Sequence, residues 1–222
     1  MNQIITIDGP AGSGKSTISR ALAKKINFLY LDTGAMYRAV ALDAKRRGFS
    51  PDHGRRLGDL IKSMDLHFKT DEDPPKLFLG REDISLAIRS PDMDMLASRV
   101  SAVKEVREGM SHLQRKMAKG LKVVAEGRDM GTVVFPDAEH KFFLTALPEV
   151  RSERRYRERL GRGESVSKEI VESELKKRDK NDKTRSLAPL KPAEDAKIID
   201  STQLTPEQVV EEIMGHLKLT KS

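Results

Sequence analysis

Short apolar runs alternate with amphipathic stretches through the first fifty residues of the chain. Residues 4–7 form an apolar run typical of a buried strand, and residues 15–26 repeat apolar side chains at helical spacing. Residues 28–31 indicate a second strand, and residues 35–47 a second helix that ends before Gly48. This alternation of strands and helices is typical of a parallel sheet with helices packed on its faces.

The pattern changes after residue 50, where short strands are joined by tight turns. The elements predicted in this stretch are a helix at residues 52–63 and strands at 66–68, 76–79 and 82–84. Such strands indicate a small antiparallel piece inserted into the parallel fold. Ser90 and Pro91 then predict the start of a helix that reaches about residue 100, before a long amphipathic helix at 103–119.

The second half of the chain returns to the alternating pattern. Three more strands are predicted at residues 121–125, 140–144 and 197–200, and helices at 148–160, 167–182 and from Thr205 to 217. We expect the tail beyond the last helix to fray. Residues 151–185 are dense in Arg, Lys and Glu and poor in large apolar side chains, so we expect this segment to pack only shallowly.

The loop between the first strand and the first helix has the spacing G-x-x-x-x-G-K-[ST] of a phosphate-binding loop. Its residues are Gly9, Pro10, Ala11, Gly12, Ser13, Gly14, Lys15, Ser16 and Thr17. Glycines let backbone N–H groups turn toward a phosphate, and the start of the helix adds its positive dipole end. Lys15 can then reach the β- and γ-phosphates of ATP, and the Ser16 hydroxyl can bind Mg²⁺. The structural alternative is an ordinary glycine-rich turn.

Composition narrows the class of protein without identifying the substrate. The chain of 222 residues carries a net charge of +7, which suits an anionic partner such as nucleotide, nucleic acid or acidic lipid. It has no cysteine, which excludes a disulfide framework and cysteine-based metal sites. We expect a cytoplasmic protein, because the sequence lacks a signal-peptide pattern and an apolar run long enough for a membrane span.

Two further groups of charged residues follow predicted strands, where ligands bind in open α/β sheets. Thr33 and Arg38 come after the second strand; Thr33 could cap the helix and donate to a phosphate, and Arg38 could bind that phosphate at two points. After another strand, Glu126 could hold Mg²⁺ or its water, while Arg128 and Asp129 lie between glycines. A capped surface helix and a charged turn are the structural alternatives.

Charged positions elsewhere carry weaker signals. Ser98 and Arg107 fall on neighbouring helices, where capping and solvation also explain such residues. Residues 178–185 end the charged helical pair and could form a flap that brings cations over phosphates and excludes water. A solvated charged hairpin is the alternative interpretation.

Together these motifs resemble the bacterial cytidylate kinases of the nucleoside monophosphate kinase family, and the resemblance covers nearly the whole chain. It rests on residues 7–15, 31–38, 127–132, 178–179, 188–190 and 200–202. The resemblance implies an α/β fold, a P-loop NTPase core with a central parallel sheet flanked by helices. It also implies one domain over 1–222, with its core at 1–62, 91–150 and 186–222, a monophosphate-binding insert at about 63–90 and a helical lid at about 151–185.

The resemblance also assigns roles to individual residues. The positions that match the family's CMP-binding residues are Thr33, Arg38, Ser98, Arg107, Arg128, Asp129, Arg178, Asp182 and Arg185. Arg38 and Arg128 would bind the acceptor phosphate; Ser98, Arg107 and Asp129 would read cytosine; Asp182 and Arg185 would contact the pentose. Lys15, Arg128 and Arg178 would be catalytic.

The predicted activity is transfer of a phosphoryl group from ATP, with Mg²⁺, to CMP or dCMP. Ser16 would bind the metal, with Glu126 as a further candidate. We expect a monomer whose partners are nucleotides, not nucleic acid or membrane. A kinase for UMP, shikimate or another small acceptor, and a basic RNA-binding protein with nucleotide hydrolysis as a switch, are the alternatives.

Overall fold

A computed structural model describes residues 3–90 and 92–217. The described helices are α1 Lys15–Ile26, α2 Thr33–Arg46, α3 Gly54–Ser63, α4 Met93–Val100, α5 Lys104–Ala118, α6 Pro148–Gly161, α7 Lys168–Thr184 and α8 Pro206–His216. The described strands are β1 Gln3–Asp8, β2 Leu29–Asp32, β3 Leu66–Lys69, β4 Lys76–Leu79, β5 Glu82–Asp83, β6 Lys122–Gly127, β7 His140–Thr145 and β8 Lys197–Asp200. Single turns of 3₁₀ helix at Ala87–Arg89 and of π-helix at Met130–Val134 complete the order.

Within this part of the chain the larger sheet has five strands in the order β2-β6-β1-β7-β8. The pairs β1–β6, β1–β7 and β7–β8 are parallel, and in the first of them Asp8 lies opposite Gly127. The central strand β1 is buried on both faces, with Ile5 and Ile7 on one face and Thr6 and Asp8 on the other. A separate antiparallel sheet contains β3, β4 and β5. The predicted fold class, a parallel sheet with helices and a small antiparallel piece, is confirmed.

The described residues divide into two compact units. The first holds residues 3–31, 120–184 and 188–217, and the second holds 32–90, 92–119 and 185–187. The core of the first unit lies between the sheet and the helices α1 and α8. Its buried side chains are Ile5, Ile7, Ile18, Leu22, Ala23, Val124, Phe142, Leu144, Ile199, Val209, Val210 and Ile213. In the second unit α2 packs on α4, and α3 packs on α5. The predicted core, insert and lid stay a prediction.

Most predicted elements are present, with ends shifted by one or two residues, as is usual for helix and strand termini. Thr205 and Gln208 form the predicted capping box at the start of α8. One helix start was predicted wrongly: α4 begins at Met93, and Ser90 instead ends the 3₁₀ turn with extended backbone. Pro91 and the tail at 218–222, for which fraying was expected, lie outside the described residues.

The charged segment at 151–185 packs more deeply than its composition predicts. Val171 and Leu175, on one face of α7, are buried together with Ala11 of the phosphate loop. Tyr156 and Val166 pack against the same small cluster. The expectation of shallow packing is therefore wrong, since a few apolar side chains at helical spacing are enough to anchor α7 on the loop.

Candidate active site

The phosphate loop connects β1 to α1 through a turn that is held by its own hydrogen bonds. The Ser13 Oγ donates to the carbonyl oxygen of Pro10 at 3.0 Å, and the Lys15 Nζ donates to the same oxygen at 2.6 Å. Gly14 caps α1 in a left-handed conformation, with φ of 91°. Lys15, the first residue of the helix, is thus held over the loop, and the N-terminal N–H groups of α1 face the same space.

The Lys15 ammonium lies in an environment that needs an anion. Its pKa lies well below the ordinary value, chiefly because the side chain is buried, and also because the charges of Arg128 and Arg178 repel it. The carboxylates of Glu126 and Asp8 act in the opposite direction but do not compensate. A polyphosphate bound in the loop would supply negative charge next to Lys15 and favour its ammonium form.

Ser16 and Glu126 provide the oxygen atoms that a magnesium ion prefers. The Ser16 Oγ donates to Glu126 Oε2 at 3.0 Å, and the Tyr30 hydroxyl donates to the other carboxylate oxygen of Glu126. In the described part of the chain no cluster of three or more His, Cys, Asp or Glu side chains could hold a metal. The hydroxyl of Ser16 and the carboxylate of Glu126 are oxygen ligands of the kind that fit Mg²⁺.

Arg128 is held in place by a buried ion pair. Its Nε donates to Asp182 Oδ2 at 2.9 Å, which joins the end of β6 to α7. Burial by itself would lower the pKa of Arg128, but the carboxylates of Asp182 and Glu126 raise it above its ordinary value. Arg128 therefore stays charged, and the first unit holds Arg128 and Arg178 within electrostatic reach of Lys15.

Two residues of this site were missed by sequence reasoning. Asp8, the last residue of β1, accepts hydrogen bonds from the backbone N–H groups of Met130 at 2.9 Å and Gly131 at 2.8 Å. The buried Arg151 donates to the Ala11 carbonyl oxygen at 3.0 Å and to Asp179 Oδ2 at 2.6 Å. Arg151 thereby fastens the phosphate loop to α6 and α7. The signal that could have indicated Asp8 is a carboxylate at the end of an otherwise apolar strand.

In the second unit, the start of α2 organises two of the predicted residues. The cap of α2 is Asp32, whose Oδ1 accepts from the Ala35 N–H at 2.7 Å, so the prediction that Thr33 caps the helix is wrong. Thr33 is the buried first residue of the helix. Arg38, on the same helix, lies 3.6 Å from a carboxylate oxygen of Asp32 and 3.8 Å from one of Asp94. These distances are longer than direct hydrogen bonds, which leaves the guanidinium able to bind an anion.

Ser98 and Arg107 are both buried in the second unit. Within residues 3–90 and 92–217 the Ser98 Oγ has no hydrogen-bond partner. The Arg107 guanidinium lies over the Tyr37 ring at 5.6 Å and donates to the Ser101 carbonyl oxygen at 3.2 Å. A buried hydroxyl and a buried, fixed guanidinium can recognise a polar ligand. The second unit thus contains Thr33, Arg38, Ser98, Arg107 and Arg185, and the first contains Arg128, Asp129, Arg178 and Asp182.

The parallel sheet and the loop with its buried lysine define a P-loop nucleotide-binding protein. Comparison with known proteins narrows this class. The family model described as "Cytidylate kinase" matches residues 5–219. The chain belongs to the cytidylate kinase family.

Curated relatives agree with this placement, and a solved structure has a similar fold. The "Cytidylate kinase" of Geobacter sp. (strain M21) is 47% identical over 94% of this chain and 89% of its own length. That of Pelotomaculum thermopropionicum is 49% identical over 96% of this chain and 95% of its own. A crystal structure of an uncharacterized protein from Eubacterium ventriosum has a TM-score of 0.51 and 15% identity, covering 96% of this chain and 97% of that one. This last likeness concerns the fold alone.

Proposed function

We propose that this protein transfers the γ-phosphoryl group of ATP to the phosphate of CMP, and of dCMP, giving ADP and CDP or dCDP. The observation that carries the proposal is the phosphate loop with its buried Lys15, in a chain whose family match spans residues 5–219. The alternatives of another small acceptor, or of an RNA-binding switch, have no such observation in their favour.

The reaction depends on the alignment of the two substrates and on stabilisation of negative charge more than on proton transfer. An oxygen of the CMP phosphate attacks the γ-phosphorus of ATP, and the bond from that phosphorus to the β–γ bridging oxygen breaks. The acceptor oxygen is already an anion, so no strong general base is required. Lys15, Arg128 and Arg178 stabilise the charge that spreads over the transferred group. The cationic surroundings of Lys15 suit this role, because the substrates bring the compensating anions.

Binding of CMP is assigned to the residues that match the family's CMP-binding positions, as the family resemblance implies. The proposed residues are Thr33, Arg38, Ser98, Arg107, Arg128, Asp129, Arg178, Asp182 and Arg185. Arg38 and Arg128 bind its phosphate, and Asp182 and Arg185 contact the pentose. The Ser98 Oγ, which has no hydrogen-bond partner among the described residues, and the fixed Arg107 guanidinium support a role in reading the base.

Asp129 gives the site its preference for cytosine. Cytosine presents an exocyclic NH₂ donor beside acceptors at N3 and O2, so a carboxylate and an arginine complement it. Uracil presents O4 and N3–H instead, which sets the Asp129 carboxylate against a carbonyl oxygen. A buried polar site rejects the mismatched base strongly because its own groups then stay unpaired.

Mg²⁺ is proposed to be held by the Ser16 hydroxyl together with ATP oxygens, and Glu126 is proposed to orient this hydroxyl or a bound water. When bound, the ion neutralises phosphate charge. We further propose that residues 63–90 form a monophosphate-binding insert and 151–185 a lid, and that the protein acts as a monomer in the cytoplasm. In residues 3–90 and 92–217 no helix is long and apolar enough to cross a membrane.

A coupled assay of ADP formation tests the proposed activity. We expect ATP consumption to depend on CMP or dCMP and on Mg²⁺, and to be suppressed by EDTA. The same assay is run with UMP, shikimate and a single-stranded RNA oligomer as controls. A higher kcat/KM with another acceptor, or ATP consumption stimulated by RNA and not by CMP, would contradict the proposal.

Replacing Asp129 with alanine is expected to lower the ratio of kcat/KM for CMP over UMP by about 100-fold, because the base loses its polar complement. The KM for ATP should change much less, since the proposed ATP site is the loop at residues 9–17. Steady-state kinetics with each acceptor measures both quantities. A CMP/UMP ratio that stays at the wild-type value would show that Asp129 does not read the base.

A further inference from the structure

Asp8 holds the polypeptide on both sides of Arg128 and Asp129, two of the residues proposed to bind CMP. In the parallel pairing of β1 with β6, Asp8 lies opposite Gly127, the residue immediately before Arg128. Its carboxylate also accepts hydrogen bonds from the backbone N–H groups of Met130 and Gly131, which are the two residues immediately after Asp129. Arg128 and Asp129 therefore lie between two stretches of backbone, Gly127 before them and residues 130–131 after them, that Asp8 holds in place.

The two hydrogen bonds fall where the backbone needs them. Met130 and Gly131 begin a single π-helical turn, which is closed by the bond from Val134 N to the Asp129 carbonyl oxygen at 3.1 Å. The first N–H groups of any helical turn have no partner within the turn. Asp8 accepts from two of them with separate oxygens at 2.9 and 2.8 Å, so both oxygens are needed. An amide side chain in its place offers one acceptor only.

The chain keeps this carboxylate in spite of an unfavourable environment. Burial, with a smaller contribution from the nearby charge of Asp129, raises the pKa of Asp8 to about 6, although the hydrogen bonds from the two N–H groups act to lower it. Asp8 is also adjacent to Gly9, so the residue that fixes Arg128 and Asp129 is covalently joined to the phosphate loop. A neutral residue would avoid placing a second carboxylate close to Asp129, but it would not accept from both N–H groups.

We propose that Asp8 is a positioning residue that sets the location of Arg128 and Asp129 relative to the phosphate loop, and thereby determines the discrimination of CMP from UMP. This inference rests on the proposed function. Asp8 acts through the backbone of residues 127–131 and does not touch the substrate. A shift of about 1 Å in a recognition group is enough to weaken its effect by orders of magnitude.

The test compares Asp8→Asn with Thr6→Val on the same face of β1. Thr6 is fully buried, and within the described residues its Oγ1 has no hydrogen-bond partner, although this atom would lie 3.0 Å from a Cβ placed on Gly131. Thr6→Val therefore removes a buried polar atom at the same place without touching the bonds of Asp8. We expect Asp8→Asn to raise the KM for CMP and lower the CMP/UMP ratio of kcat/KM about tenfold each.

In the same experiment the KM for ATP of Asp8→Asn is expected to stay within about threefold of wild type, and Thr6→Val to keep the wild-type CMP/UMP ratio. A lower unfolding temperature of Asp8→Asn with an unchanged ratio would overturn the proposal, since that is the result of a purely structural role. If the wild-type enzyme itself forms no ADP in response to CMP, the proposed function fails, and not merely the role of Asp8.

Hydrogen exchange of the wild-type enzyme gives an answer even if Asp8→Asn does not fold. If the bonds from Met130 and Gly131 to Asp8 position the CMP site, binding of CMP must stabilise them in return, because such coupling is reciprocal. We expect CMP to slow exchange of these two amides, measured by NMR, about tenfold more than UMP does at saturation. Equal protection by CMP and UMP would overturn the proposal.

Discussion

Replacement of Lys15 with alanine is expected to lower kcat by about 10³-fold or more while the protein stays folded. In the structure the buried ammonium donates to the Pro10 carbonyl oxygen at 2.6 Å and is repelled by two arginine charges. Substrate phosphates would take over as its partners, and most of its contribution would come as charge develops on the transferred group. The loss should therefore appear in kcat and not only in KM.

Removal of this lysine is not expected to destabilise the fold, because a buried cation with a lowered pKa contributes little to stability. The kinetic measurement is the coupled ADP assay, with the unfolding temperature measured by circular dichroism. Lys24→Ala, an exposed position on the same helix, is the matched control and should keep wild-type kcat. A Lys15→Ala enzyme within tenfold of wild type would contradict the assignment of the loop.

The parts of the fold that sequence reasoning predicted well are those with strong local periodicity. Residues 15–26 alternate apolar and polar positions at helical spacing, and the predicted bounds of this helix are those observed. Ser90 and Pro91 misled because they match a helix start locally, whereas the Ser90 Oγ donates to Asp92 and α4 begins at Met93. Local propensity is a weak guide where a neighbouring turn competes for the same residues.

The candidate site was predictable only where its residues form continuous motifs. The phosphate loop and the group from Glu126 to Asp129 each occupy one short stretch. The loop follows β1 as expected, whereas Glu126 lies within the end of β6 and only Arg128 and Asp129 follow that strand. Asp8 and Arg151 act on partners that lie 122 and 140 positions away along the chain, at Met130 and Ala11. Nothing in the residues around Asp8 or Arg151 shows which backbone groups the fold brings to them.

The packing of the charged helices in residues 151–185 could likewise be predicted only in part from the sequence. The apolar residues of α7 that matter, Val171 and Leu175, are four apart and lie among charged neighbours. Average composition over 151–185 conceals this stripe, whereas its spacing alone would have indicated a buried face. The spacing could not predict that this face of α7 packs against Ala11 of the phosphate loop.

A second large effect is expected from Gly9→Ala, and Gly14→Ala is its matched control in the same loop. A Cβ on Gly9 would lie 2.0 Å from the Leu144 carbonyl oxygen, which belongs to the neighbouring strand β7. β7 is an interior strand, and its backbone cannot move aside without disturbing the sheet. We therefore expect a loss of about 4 kcal/mol in the free energy of unfolding. Gly14 has φ of +91° but no atom closer than 4.0 Å to its Cβ, so only the backbone strain of about 1–2 kcal/mol applies.

Thermal unfolding without nucleotide separates the two effects, because steric overlap and backbone strain are then the only terms that change. At about 2–4 °C for each kcal/mol in a chain of this size, Gly9→Ala should unfold roughly 10 °C below wild type and Gly14→Ala only a few degrees below it. If the unfolding temperature of both variants fell by the same small amount, Gly9 would pack against β7 more loosely than the 2.0 Å between an added Cβ and the Leu144 carbonyl oxygen indicates. That result would contradict rigid packing of the phosphate loop against Leu144, on which the placement of Lys15 depends.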